Sequence, residues 1–161
     1  MGDGDRAQLV VNPVMTDEER RALVTAYLAA FDNGGTGHDG VGVLDYFADD
    51  ARFRFPKWGL AVGRPMIGEL FADLGATVHA VTHHFSSFTW IHSGGDVLAV
   101  EGTTHGRHRD GRWEAGRPEW GAGHWCGVFE VRDRLIHRAS IYLDPDYAGQ
   151  DVDRYPWLSH R

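Results

Sequence analysis

Three histidines and one aspartate carry the strongest signs of acid–base chemistry in this sequence. His83 and His84 are adjacent in VTHHFSSFTW, and His105 lies in TTHGRH. Histidine suits proton transfer because its unperturbed pKa lies nearest neutrality. Asp32, in AFDNGG, follows a helical pattern, and an aspartate that hydrogen-bonds an imidazole fixes its tautomer and raises its basicity. A proton shuttle between histidines requires these residue types, together with a fold that brings them into contact.

Strand geometry allows only one of the two adjacent histidines to face an interior, because successive strand residues point to opposite faces. The large apolar neighbours are divided between those faces. Phe85 and Ile91 lie on the side opposite His84, whereas Trp90 shares its side. The alternation alone therefore favours a histidine satisfied in a partly buried strand over a catalytic one.

His105 is equally ambiguous from pattern alone. It alternates with Glu101, Thr103 and Arg107 in AVEGTTHGRH, which is also the pattern of a solvent-exposed sheet face. On a later strand His124 and Cys126 share one face, and both are predicted to point inward. Cys126 is interpreted as a small core or pocket-wall residue, the commonest fate of a free cysteine.

Charge and composition exclude several classes of partner. There are 16 Lys and Arg against 23 Asp and Glu, a net charge of −7, so neither nucleic acid nor an anionic membrane is expected to bind. No apolar run approaches the roughly 20 residues that span a bilayer. MGDGDRAQ lacks the layout of a signal peptide, and the single cysteine gives no sign of secretion. A cytoplasmic protein is expected.

No metal or other cofactor is expected. His79, His83 and His84 straddle a predicted helix-to-strand junction, and His105 and His108 have opposite parity on one strand. The sequence contains neither a helical His-Glu-x-x-His motif nor a cysteine pair.

The predicted elements are helices first and strands afterwards. Three helices are expected in TDEERRALVTAYLAAFDNGG, in GVGVLDYFADD and in GRPMIGELFADLG, with a strand in ARFRFP before the third. Four strands follow, at about 81–93, 96–108, 119–132 and 134–143. This order predicts an α+β domain. Residues 1–15 are predicted to be a flexible N-terminus, 16–146 the folded domain, and 147–161 a tail of which part docks.

The order and several segments resemble the nuclear-transport-factor-2-like (NTF2-like) superfamily over roughly residues 16 to 146. YLAAFDNGG with LDYFADDARFRF resembles its first helices and first strand, and CGVFEVRDRLIHRASIYLDPD resembles its last hairpin. The resemblance implies a cone-shaped α+β fold, in which three helices pack on a strongly bent, mostly antiparallel sheet that encloses a pocket. It also implies a homodimer.

Within that superfamily the chain most resembles the SnoaL-like branch, closest in pattern to scytalone dehydratase-like proteins. There an aspartate at the end of the first helix and two histidines on neighbouring strands orient a water during dehydration. By resemblance those catalytic roles fall on Asp32, His84 and His105, so that His84 faces the pocket and His83 faces away. The residues predicted to contact substrate are Tyr27, Phe55, Trp58, Thr103, His124, Cys126 and Tyr142.

The resemblance therefore implies a cofactor-independent acid–base enzyme of the dehydratase, cyclase or isomerase type. Its substrate would be a small hydrophobic cyclic or polyketide-like molecule. Two alternatives stay open: a non-catalytic ligand-binding or dimerisation module of the same fold, and an epoxide-opening hydrolase.

Overall fold

The computed structural model describes residues 14–114 and 123–155. Its first helix, α1 (Asp17–Asp32), begins at a capping box. The Glu19 backbone N–H donates to Thr16 Oγ1 at 3.2 Å, and the Thr16 N–H donates to Glu19 Oε2 at 2.8 Å. These bonds satisfy N–H groups that a helix start leaves free. The helix ends at Asp32, so the position of this aspartate is set by the C-terminal end of α1.

Two α-helices, rather than the predicted three, occur in the part of the chain that the structure describes. The second, α2, spans Arg64–Thr77. The segment between Gly42 and the first strand forms only a short 3-10 helix, Val43–Tyr46. The reason is length, because strand β1 begins at Phe47 and leaves room for a single turn.

In the part of the chain that the structure describes, eight strands form one bent sheet. They are β1 (Phe47–Phe55), β2 (Gly59–Val62), β3 (Val78–His83), β4 (Thr89–His92), β5 (Val97–His108), β6 (Gly111–Trp113), β7 (His124–Arg132) and β8 (Leu135–Leu143). The main order is β2-β1-β8-β7-β5-β3, and β4 and β6 also pair with β5. All pairs are antiparallel except β1 with β8. The predicted α+β class with a mostly antiparallel sheet is confirmed.

One predicted strand is divided in two. The segment expected as a strand over 81–93 contains the end of β3, a 3-10 turn at Phe85–Ser87, and β4. The turn interrupts the alternation of side chains. Odd- or even-numbered residues before the turn therefore do not face the same side as those after it. The first residues of the strand expected at 119–132, up to 122, lie outside the described residues.

The core lies between the helices and the inner face of the sheet. Val24 and Leu28 of α1 pack there with Phe47, Phe53 and Phe129, all nearly or completely buried. Arg20 fixes α1 to the sheet, since its Nε donates to the Val131 carbonyl at 3.1 Å and its Nη2 to Asp96 Oδ1 at 2.8 Å. Within the described part, no helix is long and apolar enough to cross a membrane.

Part of the predicted tail packs against the domain. Tyr147 is 5% exposed, stacks on His108 at 5.2 Å between ring centroids, and contacts Trp113 at 5.0 Å. A 3-10 helix, Val152–Arg154, follows. Trp157 lies outside the described residues. At the other end, Met15, expected in the flexible N-terminus, is 6% exposed.

Candidate active site

Asp32 and His83 form a hydrogen-bonded pair between the end of α1 and the end of β3. Asp32 Oδ1 lies 2.6 Å from His83 Nδ1, and Oδ2 accepts the His83 backbone N–H at 2.7 Å. The two side chains are only 14% and 10% exposed. An aspartate at a helix C-terminus opposes the helix dipole, and the two donors from His83 compensate for that position.

This contact determines the tautomer of His83. A carboxylate only accepts hydrogen bonds, so the hydrogen of the neutral ring lies on Nδ1 and the lone pair on Nε2. Among the described residues, none forms a hydrogen bond to Nε2. His83 is therefore oriented as a general base, with its carboxylate partner behind it.

His83 lines an apolar cavity of about 60 Å³ on the inner face of the sheet. The other walls are mainly aromatic and aliphatic, including Phe53, Phe55 and Ile141. A second cavity of about 470 Å³ lies between α1, α2 and β3 and includes Asp32 in its wall. The two cavities have four wall residues in common: Phe31, Leu74, Val78 and Val81. The Asp32–His83 pair thus lies where the two cavities adjoin.

Tyr27, on α1, lines the smaller cavity and is 2% exposed. Burial raises the pKa of its phenol, and the negative charge of Asp32 raises it further. The hydroxyl therefore stays protonated at neutral pH and is available as a neutral hydrogen-bond donor. Such a donor in a dry site stabilises a developing oxyanion more strongly than one in water.

Tyr27 and Tyr147 should ionise only as the protein unfolds, because burial raises the pKa of both phenols. Unfolded phenols ionise near pH ~10. Above that pH the unfolded state binds fewer protons than the native state, so the free energy of unfolding falls as pH rises. Chemical denaturation across this range should show the fall, and Tyr27→Phe should make it shallower.

The exposed Tyr142, with 54% of its surface accessible, supplies the control, since Tyr142→Phe should leave the slope unchanged. Ultraviolet absorbance of phenolate counts the ionised tyrosines directly. Ionisation of all five tyrosines before the native structure is lost would contradict the burial of these two phenols.

His84 and His105 form a separate network with Thr103 and Ser87. Ser87 Oγ donates to the His84 carbonyl at 2.7 Å and accepts from Thr103 Oγ1 at 3.0 Å. Thr103 Oγ1 therefore accepts from His84 Nδ1 at 2.9 Å, and His84 Nε2 accepts from His105 Nδ1 at 2.7 Å. The network leaves the lone pair of His105 at Nε2, on an exposed side chain. Within the described residues, no three potential ligands are grouped to hold a metal ion.

The expected orientation of the two adjacent histidines is wrong. His83 pairs with Asp32 and lines the cavity, whereas His84 contacts Thr103 and His105. The structure thus brings His84 and His105 together, but not with Asp32. The physical reason is the 3-10 turn after His84. Phe88 and Trp90 pack against the core, but because the turn interrupts the alternation, the even-numbered His84, which follows β3, does not face the same side as they do.

The predicted substrate contacts are divided between the two faces of the sheet. Tyr27 and Phe55 line the cavity. Trp58 packs behind Phe55 at 5.7 Å, and its Nε1 donates to Asp73 Oδ2 at 2.6 Å. The remaining four, which alternate with cavity-lining residues and so lie on the outer face, are Thr103, His124, Cys126 and Tyr142. The expectation that His124 and Cys126 point inward is therefore wrong.

Cys126 is also a poor nucleophile. Burial and the negative charge of Glu101, its neighbour across the strands, raise the pKa of the thiol. The reactive thiolate is thereby disfavoured.

Besides His83, sequence reasoning missed several inner residues as site residues, among them Thr104, Trp113 and Trp125, which all line the cavity. On β7 the sequence does indicate the correct face. Glu130 alternates in step with His124 and Cys126, so all three lie on one side of the strand. A charged residue indicates that this side is the outer face, which places Trp125 on the inner face.

Comparison with known proteins supplies a family. The model of the SnoaL-like domain matches residues 24–139. No curated protein matches this chain. Solved structures with the same fold include an NTF2-like protein of unknown function from Burkholderia pseudomallei, which is 16% identical with a TM-score of 0.64, over 87% of this chain and 97% of that one.

Two further structures are similar at the same level. A candidate polyketide cyclase from Xanthomonas campestris pv. campestris is 20% identical with a TM-score of 0.58, over 79% of this chain and 91% of that one. TerC, co-crystallised with polyporic acid, is 15% identical with a TM-score of 0.57, over 89% and 99%. At these identities the likeness establishes the fold alone.

Proposed function

The chain belongs to the SnoaL-like family, and from that premise we propose that it is a cofactor-independent acid–base enzyme of the dehydratase, cyclase or isomerase type. One observation carries the proposal. The Asp32 carboxylate holds His83 at 2.6 Å, in the wall of an apolar cavity. A histidine base oriented by a buried carboxylate is a recurring catalytic arrangement.

The first chemical step is proton abstraction from a carbon next to a carbonyl group. His83 Nε2 takes the proton, and the electron pair of the C–H bond moves into the carbonyl to form an enolate. Asp32 stabilises the imidazolium that results. The Tyr27 hydroxyl, in the wall of the same cavity, donates a hydrogen bond to the enolate oxygen.

The second step returns the proton. In a dehydration, the His83 imidazolium protonates a hydroxyl on the neighbouring carbon, and that group leaves as water while the enolate collapses. In an isomerisation the same proton goes to a different carbon. Each positioned acid or base group contributes about 10²–10⁴-fold to such rates. His84 and His105 take no part in this mechanism, because they contact each other rather than Asp32.

The substrate is a small hydrophobic cyclic or polyketide-like molecule. The apolar walls support this class, and several structures of the same fold are candidate polyketide cyclases. A drug-sized ligand needs about 300–1,000 Å³, more than the 60 Å³ beside His83. We therefore place the body of the substrate in the 470 Å³ cavity, with its reacting end reaching His83 between the shared wall residues.

Deuterium exchange tests this function without knowledge of the natural substrate, because all three reaction types begin with removal of a proton from carbon. Cyclic ketones are incubated with the protein in D₂O, and loss of the proton next to the carbonyl is followed by NMR. We expect exchange above the buffer rate for at least one ketone. Binding of these ketones without any exchange would instead favour a non-catalytic ligand-binding module.

A further inference from the structure

Trp125 has a buried hydrogen-bond donor without an acceptor. The residue lies on β7, is 5% exposed and lines the cavity beside His83. Its indole Nε1 is buried and has no hydrogen-bond partner among the described residues. A buried tryptophan N–H usually has a partner, and leaving one unpaired costs free energy. The missing acceptor therefore needs an explanation.

Two other tryptophans of the described residues, Trp113 and Trp58, follow the usual rule. Trp113 lines the same cavity, and its Nε1 donates to Thr104 Oγ1 at 3.0 Å. Trp58 Nε1 donates to Asp73. The fold thus provides acceptors for indole groups next to the cavity and on the surface, and among the described tryptophans only Trp125 has an indole nitrogen that is both buried and unpaired.

The surroundings of Trp125 offer aromatic rings rather than oxygen atoms. Its ring meets that of His83 at 4.9 Å and 80°, and that of Phe88 at 5.5 Å and 75°. A ring face is only a weak acceptor for an N–H group. An oxygen brought by a ligand that displaced a neighbouring ring would be a much better one, since nothing the size of water reaches Nε1 as the side chains lie.

We propose that the Trp125 indole N–H donates a hydrogen bond to an oxygen of the substrate, and that the substrates of this protein are small apolar molecules with a carbonyl oxygen at the reacting end. The inference rests on the proposed function in taking the cavity beside His83 as the substrate site. Trp125 is then a specificity-determining residue. It favours a ketone over a hydrocarbon of the same shape, because only the ketone satisfies the indole.

A pair of ligands that differ at a single carbon tests this assignment: 1-indanone, which has a carbonyl group, and indane, which has none. Both are titrated into ¹⁵N-labelled protein, and the indole N–H signals of the six tryptophans are followed by NMR. The signal absent from Trp125→Phe identifies Trp125. We expect 1-indanone to move that signal downfield and to bind about three- to tenfold more tightly than indane, the value of one neutral hydrogen bond.

Trp113→Phe is the matched control, because it removes a paired indole from the same cavity. Trp125→Phe should abolish the preference for 1-indanone and lower the Tm less than Trp113→Phe does, since both substitutions leave a cavity but only the first removes an unsatisfied donor. Trp113→Phe should lower the Tm and keep the preference. Equal affinity for the two ligands in the wild type overturns the proposal, as does an absence of binding or a Trp125 signal that stays in place or moves upfield.

Failure of this inference is distinguishable from failure of the proposed function. If deuterium exchange needs Asp32 and His83 but Trp125→Phe keeps the ketone preference, only the role of Trp125 is wrong. If the ketone preference depends on Trp125 but no ketone is exchanged, the acid–base function is wrong and the carbonyl site stands.

Discussion

Replacement of Asp32 by asparagine should lower the rate of ketone deuterium exchange by about 10²–10⁴-fold, the range associated with a positioned acid–base group. The asparagine side chain has the shape of aspartate but one NH₂ group in place of an oxygen. With its oxygen on the His83 backbone N–H, its NH₂ group faces Nδ1 and donates to it. The ring hydrogen is then moved to Nε2, and the lone pair that takes the substrate proton is lost.

Asp73→Asn is the control for this prediction, because Asp73 also accepts a hydrogen bond from a ring nitrogen, that of Trp58, but on an exposed surface. The Asp73→Asn variant should exchange ketone at the wild-type rate. The rates are measured with subsaturating ketone, together with the Tm of each variant. An Asp32→Asn variant that is folded and exchanges ketone at the wild-type rate would show that the pair is structural.

The substitutions His83→Gln and His84→Gln should have very different effects, although the residues are adjacent. His83→Gln removes the proposed base and should reduce exchange by about 10²–10⁴-fold. The backbone N–H at position 83 still donates to Asp32, and the glutamine amide is a second donor, so the fold should be retained. His84→Gln changes a side chain that contacts Thr103 and His105, and its exchange rate should stay close to that of the wild type.

The double variant Asp32→Asn, His83→Gln adds an independent check. Residues that act as one catalytic unit have strongly non-additive effects, so the double variant should be hardly slower than His83→Gln alone. Multiplicative losses would mean that the two residues act separately. A large loss in His84→Gln with none in His83→Gln would restore the orientation expected from the sequence.

The sequence was sufficient for the elements that local patterns determine. The capping box at Thr16 and Glu19 begins α1 as predicted, and the helix delivers Asp32 to a histidine. The strand β8 is also found nearly where alternation placed it. These features depend on residues close together in the chain, whose periodicity and capping chemistry can be recognised directly.

The side of the sheet that each residue faces was harder to predict. A shift of one residue moves every side chain of a strand to the other face. On β5 the inner residue is Thr104 rather than Thr103 or His105, and on β7 it is Trp125 rather than His124. The prediction followed polar residues of the kind that scytalone dehydratase-like proteins place in a pocket. The fold instead buries the bulky apolar set, as the hydrophobic effect requires.

The turn at Phe85–Ser87 was the second obstacle. Nothing in FSSF breaks a strand as clearly as glycine or proline would, yet the chain must leave β3 and join β4 farther along the same edge of β5. That need comes from pairing with residues 98–108, which are distant in sequence.

The particular likeness to scytalone dehydratase and the homodimer remain predictions.

The parallel pairing of β1 with β8 has a consequence for the order in which the protein can fold. Phe53 lies opposite Ala139, and Phe47 opposite Ile136, so the partners are more than 80 residues apart in sequence. Contacts of such long range carry a large loop-closure entropy and slow the folding of a domain. During synthesis from the N-terminus, β1 has only the short β2 as a neighbour until β8 has been made. A long strand that carries Phe47, Phe53 and Phe55 is meanwhile open to pairing with other chains, which makes the nascent chain the stage most exposed to aggregation.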